Sequence, residues 1–354
     1  MSLVITRTPF RVSFFGGGTD YPEWYLKEGG SVLSAAIDKY CYITARYRPP
    51  FFPTAHRVVW AHIESVQSIS EILHPAVREG LRMLDFDDSH GIEILHQGDL
   101  PARTGMGSSS AFAVGLILAL KMMRGQAVSQ EDLYLKAIEL EQDWLKDSVG
   151  SQDQVACAMG GVNVIDFNTD GAINVKPIQA SKQRLNGLNS RLMMFYTGTS
   201  RLSSEVARDV ISNIADRSTV LREMKAMVPV AQAILEETAS DLDDFGRMMN
   251  ETWQLKKSLS GKISNSNIDD IYEASQKAGA LGGKLLGAGH SGFMMLYVPL
   301  DKREAVRQAL HELMEVPFNF EMKGSRVLND HGWMSELSAS IIKRKIGQVS
   351  NGVQ

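Results

Sequence analysis

Residues 100–111 read LPARTGMGSSSA and run without a break into the apolar stretch FAVGLILALKMM at 112–123. Gly105 and Gly107 let the backbone turn tightly, and Ser108, Ser109 and Ser110 suit the start of the helix that follows. The first amides of a helix have no intrahelical acceptor, and the positive end of its dipole faces the same way. Gly105, Met106, Gly107, Ser108, Ser109 and Ser110 are therefore a candidate cradle for phosphate oxygens. Serine hydroxyls so placed can also ligate a hard cation such as Mg²⁺ held between phosphates. The same residues would equally make an ordinary serine cap after a glycine turn, so this loop alone leaves both readings open.

Composition narrows the setting. The chain has 354 residues, 44% hydrophobic and 22% charged, with a formal net charge of −4 and two cysteines, Cys41 and Cys157. That length implies about two domains, or one large one, and a core that needs no disulfide or structural metal. Mild acidity argues against a nucleic-acid binder, and two isolated cysteines exclude a disulfide framework or a Cys-rich zinc site. The first residues, MSLVITRTPFRVSFF, lack the pattern of a signal peptide, and no apolar run reaches the length of a membrane span, so a cytoplasmic protein is expected. Fifteen of the 30 glycines fall in five short places, which makes their placement more informative than their number.

Two of those places resemble loops that could serve the same end. Residues 282–292, GGKLLGAGHSG, contain G-x-G-x-x-G at Gly287, Gly289 and Gly292. A dinucleotide fingerprint follows a strand and opens a helix, whereas this stretch reads as a loop between a helix and a strand. No G-x-x-x-x-G-K-[ST] occurs. Residues 11–21, RVSFFGGGTDY, read as a strand ending in three glycines that presents Thr19 and Asp20, short polar groups suited to hydroxyl recognition.

Around these loops the pattern is mixed α and β. Strands are expected at 3–15 (with Pro9 forcing a bulge or edge), 31–46, 58–60, 91–96, 191–196 and 293–299, and a hairpin over 161–178. Helices are expected at 69–84, 108–124, 129–146 (capped by Ser129), 268–281 and 301–314. Residues 203–259 read as mostly helical, interrupted near Pro229 and at 241–244. The polar stretch 179–190 suggests a boundary. An α+β protein of two lobes follows, divided as 1–185 and 186–354.

Taken together and in this order, the three glycine loops resemble the motifs of the GHMP kinase superfamily (galactokinase, homoserine kinase, mevalonate kinase, phosphomevalonate kinase), matched here by 7–20, 100–111 and 284–293. The run TRTPFRVSFFGGGTDYPEWY and the segment NETWQLKKSLS at 250–260 are most similar to sugar kinases of the D-glycero-D-manno-heptose type. The resemblance implies a ribosomal-protein-like α/β amino-terminal lobe, a ferredoxin-like carboxy-terminal lobe and a site between them. It implies ATP and Mg²⁺ as cofactors and a small sugar phosphate as partner. The expected reaction phosphorylates the anomeric hydroxyl of heptose 7-phosphate to the 1,7-bisphosphate, for nucleotide-activated heptose synthesis.

Site residues follow by the same resemblance. Asp153, in GSQDQ at 150–154, corresponds to the catalytic aspartate, and Arg11 to the cation near the transferred phosphate. Glu141 and Ser110 correspond to the Mg²⁺ ligands. Gly18, Thr19 and Asp20 would bind the sugar, and Gly287, Ala288 and Gly289 would close over or buttress the phosphates. His290 and Ser291 depart from the glycines usual in the third motif. Arg7, Arg46, Arg103 and Lys182 remain alternatives for gripping a distal phosphate. Another sugar of the fucose or galactose type, or a non-catalytic sensor of sugar and ATP, stays open as function.

Overall fold

The structure is a computed structural model that describes residues 3–198, 203–214 and 216–328. Its strands, in chain order, are β1 (Val4–Phe15), β2 (Gly30–Arg48), β3 (His56–Val59), β4 (Ile63–Val66), β5 (Gly91–Gly98), β6 (Val162–Phe167), β7 (Ile173–Pro177), β8 (Leu192–Tyr196), β9 (Gly282–Leu285), β10 (Phe293–Tyr297), β11 (Met314–Glu315) and β12 (Arg326–Val327). The helices are α1 (Pro22–Glu28), α2 (Pro75–Met83), α3 (Ser108–Met123), α4 (Gln130–Ile138), α5 (Gln152–Met159), α6 (Lys182–Arg191), α7 (Ser203–Ser212), α8 (Ser218–Glu236), α9 (Leu242–Leu259), α10 (Ser266–Lys277) and α11 (Arg303–Ala309).

The larger sheet runs β12-β1-β2-β5-β3-β4, and β6 with its hairpin partner β7 joins the first half of β2. The length of β2 explains this: residues 30–35 pair with β6 and residues 41–48 with β5, while β1 follows the other edge throughout. The register of β1 on β2 slips between Pro9 and Phe10, where Pro9 lacks an amide and two residues of β2, Asp38 and Lys39, have no register partner on β1. The smaller sheet is antiparallel, in the order β11-β8-β10-β9.

Helix α3 is apolar nearly all round because it is buried nearly all round, against β1 and β2. Gly115 permits the close approach: a Cβ there would lie 2.9 Å from Thr8 Oγ1, and its carbonyl accepts the Thr6 hydroxyl at 3.1 Å. Between the two sheets, Phe245 of α9 meets Phe14 and Phe15 of β1 edge-on, with centroids 5.3 and 5.0 Å apart. The chain returns at its described end, where Ser325 bonds Thr8 at 2.7 Å and β12 pairs with β1.

Several sequence expectations are corrected here. The helix expected over 69–84 is a 3-10 turn, Ile69–Glu71, followed by α2, because Pro75 belongs in the first turn of a helix and starts a new one. The helix expected over 129–146 leaves α-geometry after Ile138 and makes a π turn over Glu139–Trp144, although Ser129 caps it as expected. Pro229 does not interrupt α8; Leu221, Met224, Val228, Ala231 and Leu235 hold both sides of it in the core. The helix expected over 301–314 stops at Ala309, and Met314 enters the smaller sheet. Residues 282–285 form a strand rather than a loop. The stretch 179–190 contains most of α6, so the division drawn at residue 185 falls inside a helix. Among the described residues, no helix is long and apolar enough to cross a membrane.

Candidate active site

The polar groups of the site come together from several elements. β1 supplies Arg11, only 4% exposed. Its Nε and Nη2 donate to the two Asp153 carboxylate oxygens at 2.7 and 2.6 Å, and Nη1 donates to the Gly105 carbonyl at 2.6 Å. The Arg11 amide also donates to the Met106 carbonyl at 3.1 Å, so one residue ties strand, glycine loop and α5 together. Burial works against the guanidinium charge, but the Asp153 carboxylate outweighs it and the Arg11 pKa rises. Asp153 stands in the first turn of α5, where a carboxylate is favoured by the helix dipole. Its side chain is 23% exposed, more open than the arginine that holds it.

The glycine loop turns as its sequence implies. Gly105 and Gly107 have φ of 78° and 72°, the left-handed region that other residues resist. Gly107 precedes α3, and the first rung of that helix is Ala111 donating to the Gly107 carbonyl, which leaves the amides of Ser108, Ser109 and Ser110 ahead of the ladder. The Ser108 hydroxyl accepts from the Arg103 amide at 3.3 Å. The hydroxyls of Ser109 and Ser110 both donate to Glu141, that of Ser110 to Oε2 at 2.7 Å, and Gln154 Nε2 donates to the same oxygen at 2.6 Å.

Glu141 comes from the π turn, a geometry that re-aims one side chain within a helix and is common at functional sites. It is fully buried, and burial raises its pKa to about 7 despite three donors. Among the described residues no basic side chain partners this buried carboxylate, and with the serine hydroxyls beside it the pocket suits a cation. Among the described residues no three His, Cys, Asp or Glu side chains gather, so an all-protein cage is not offered. One carboxylate with hydroxyls beside a phosphate cradle is the kind of donor set that phosphate oxygens and water complete around Mg²⁺. The residues present therefore fit that ion.

In the first glycine loop, Asp20 is 3% exposed and accepts from the Gly18 amide at 2.9 Å. Burial, and then the Asp153 charge, raise its pKa, while Gly18 and Gln152 donate to it and oppose the rise. Gly150 leaves room for this carboxylate: a Cβ there would fall 1.9 Å from Asp20 Oδ2 and displace it. Thr19 corrects an expectation: its hydroxyl is fully buried, donates to the Gly16 and Ser31 carbonyls at 2.8 and 3.0 Å, and accepts from the Ser31 amide. It shapes the loop, and that loop encloses its hydroxyl completely. Gly18 acts through its amide on Asp20, beside Leu221 and Leu259.

The third loop reaches the same place from the smaller sheet. Gly105 and Gly287 touch backbone to backbone; a Cβ on Gly287 would lie 2.2 Å from the Gly105 Cα. Gly292 packs as closely on the Thr104 carbonyl. His290, with φ of 72°, is fastened from behind: its amide donates to the Ile263 carbonyl at 2.8 Å, and its carbonyl accepts from Asn265 Nδ2 at 2.7 Å. Lys284 points from β9 to the Phe14 carbonyl at 3.0 Å, and burial followed by the Arg11 charge lowers its pKa to about 7.

Sequence reading missed Gln152, Gln154 and Gly150, although all three stand in the GSQDQ run; nothing in one sequence says which flanking side chains turn inward. Of the cations left as alternatives for a distal phosphate, Arg46 is paired with Glu93, and Arg7 lies over the Tyr40 ring, 3.8 Å from Glu321.

Comparison with known proteins bears on the family and the fold. Residues 71–161 match the family described as GHMP kinases N terminal domain, and residues 230–316 match GHMP kinases C terminal; together they cover about half of the chain. The chain is 27% identical over 323 residues to D-glycero-alpha-D-manno-heptose 7-phosphate kinase of Campylobacter jejuni, covering 88% of this chain and 94% of that protein. It is 28% identical over 334 residues to the bifunctional fucokinase/GDP-fucose pyrophosphorylase of Arabidopsis thaliana, covering 87% of this chain and 31% of that one. In fold it is similar to the crystal structure of a D-glycero-D-manno-heptose 1-phosphate kinase from Bacteriodes thetaiotaomicron, with a TM-score of 0.70, 22% identity, and coverage of 93% of this chain and 100% of that one.

Proposed function

The chain belongs to the GHMP kinases, and from that premise we propose that it transfers the γ-phosphoryl group of ATP to the anomeric hydroxyl of D-glycero-D-manno-heptose 7-phosphate. The observation that carries the reading is the meeting of Asp153, gripped by Arg11, with the free helix amides of the Gly105–Ser110 loop and the buried Glu141. Similarity across nearly the full length of the Campylobacter heptose 7-phosphate kinase supports the substrate.

In this reading the phosphates of ATP lie along the loop, where the amides of Ser108, Ser109 and Ser110 and the dipole of α3 offset their charge. Ser110 and Glu141 would hold Mg²⁺, which supplies charge neutralisation between the phosphates. Asp20 accepts from sugar hydroxyls and orients the ring. Asp153 accepts the proton of the attacking anomeric hydroxyl; the oxygen bonds to the γ-phosphorus, and the bond from phosphorus to the β,γ-bridging oxygen breaks, leaving ADP. Arg11 keeps Asp153 in place and adds a fixed positive charge beside it, so the chemistry rests on positioning and electrostatics.

A coupled ADP-release assay across heptose 7-phosphate, free heptose, fucose and galactose tests the reading. Turnover with heptose 7-phosphate at least tenfold above the free sugars supports it. Preference for fucose, which the similarity to the plant fucokinase makes the second reading, moves the substrate and keeps the chemistry. Nucleotide and sugar binding without ADP release with any sugar would overturn catalysis in favour of a sensor.

A further inference from the structure

The segment NETWQLKKSLS places a lysine behind the third glycine loop that none of the chemistry above employs. Lys256, on α9, is 9% exposed, and its Nζ donates to the Leu285 carbonyl at 2.8 Å and to the Gly287 carbonyl at 2.5 Å. Those carbonyls flank the bend that brings Gly287 against Gly105. Among the described residues, no carboxylate pairs with this side chain, and the amides of Gly287, Ala288 and Gly289 meet no protein acceptor.

We propose that Lys256 is a positioning residue of the third loop, holding two carbonyl oxygens turned toward α9 so that the loop presents amides, and not carbonyls, to the phosphates of the nucleotide. The electrostatic logic is direct. A carbonyl oxygen facing a polyphosphate repels it, whereas an amide attracts it, and one peptide flip exchanges the two. Hydrogen bonds from the buried Nζ to both carbonyls oppose that flip. Burial, and then the nearby Lys284 and Arg11, hold the Lys256 pKa well below its ordinary value. An anion in the loop opposes that lowering, so nucleotide binding and this lysine support each other.

The inference rests on the nucleotide site proposed above, and the experiment separates the two. ATP affinity of the full chain is measured by calorimetry without sugar, and the KM for ATP, the KM for sugar and kcat by ADP release, for wild type, Lys256→Met and Lys256→Arg. We expect Lys256→Met to weaken ATP binding and raise its KM about tenfold or more while the KM for sugar stays within about twofold, and Lys256→Arg to recover most of the loss. A folded Lys256→Met with wild-type ATP affinity, or with both KM values raised alike, overturns the role. Should Lys256→Met fail to fold, Lys256→Gln, which keeps one N–H donor, is read by the same two criteria. Wild type that binds no ATP would sink the nucleotide site itself, whereas wild type that binds ATP but ignores heptose 7-phosphate corrects only the sugar.

Discussion

Arg11 and Asp153, 142 positions apart, meet as a two-pronged pair with nitrogen–oxygen distances of 2.7 and 2.6 Å, the guanidinium almost buried and the carboxylate open on one side. This asymmetry matters for catalysis. A fixed cation that cannot move away holds a carboxylate that can still be reached.

Replacing Asp153 by Asn tests the proton acceptor. The amide keeps the shape but accepts no proton and turns a donor toward Arg11. We expect kcat to fall by about 10²–10⁴ with ATP affinity largely retained, and the melting temperature to drop as a buried charge loses its partner. Near-normal turnover in Asp153→Asn would remove this residue from the mechanism.

The buried Glu141 makes stability depend on pH in a definite direction. Its pKa rises from 4.5 to about 7 on folding, so the folded state binds the proton more tightly. Stability from this group is fully present below about 4.5 and is lost as pH rises through about 7. In metal-free buffer the melting temperature should therefore decline over that window, and Glu141→Gln should flatten the decline. Added Mg²⁺ with ADP should restore stability at pH 8 in wild type and not in the variant. A wild-type curve with no such slope would contradict the burial of an unpaired carboxylate.

Ser110→Ala should raise the Mg²⁺ concentration needed for half-maximal rate several-fold while leaving sugar binding alone. It removes one hydroxyl from the Glu141 pocket and nothing else. An unchanged Mg²⁺ requirement would shift the ligand role to Ser109, which shares the same carboxylate.

Gly287→Ala should be severe for its size. The new methyl would meet the Gly105 Cα at 2.2 Å, from a backbone φ of 71°. Both loops must then move apart, and we expect the KM for ATP to rise about tenfold or more with a stability loss of about 1–3 kcal/mol. Calorimetric ATP titration and thermal melting read the two effects separately.

Asp20→Asn should act on the sugar and spare the nucleotide, raising the sugar KM by about tenfold to a hundredfold. Equal losses of ATP and sugar affinity would show that the change had collapsed the loop behind Gly18 instead.

Local signals in the chain were read well where local physics decides. The all-apolar run at 112–123 can be stable only as a buried helix, and it is one. Ser129 caps its helix through the Asp132 amide, and the NTDG turn closes the hairpin of β6 and β7. Pro9 marks a register slip. Where packing competes with propensity, the reading failed: Pro229 stays within α8 because apolar residues on both sides of it are buried. The π turn that aims Glu141 has no sequence signature, since its residues would also suit the solvated face of a regular helix.

The glycine loops, the buried helix that one of them opens and, through the order of the motifs, the kinase family are legible from residue type alone. These depend on residue type and on neighbours a few positions away. Only the tertiary structure decided that Thr19 is consumed by its own loop, that Lys256 reaches the carbonyls of Leu285 and Gly287, and that Gly105 and Gly287 can touch only because neither carries a Cβ. The Lys256 and Gly287 contacts join residues about 30 to 180 positions apart and follow from how α9 and the two sheets pack, and side-chain chemistry at one position does not name its partner at another.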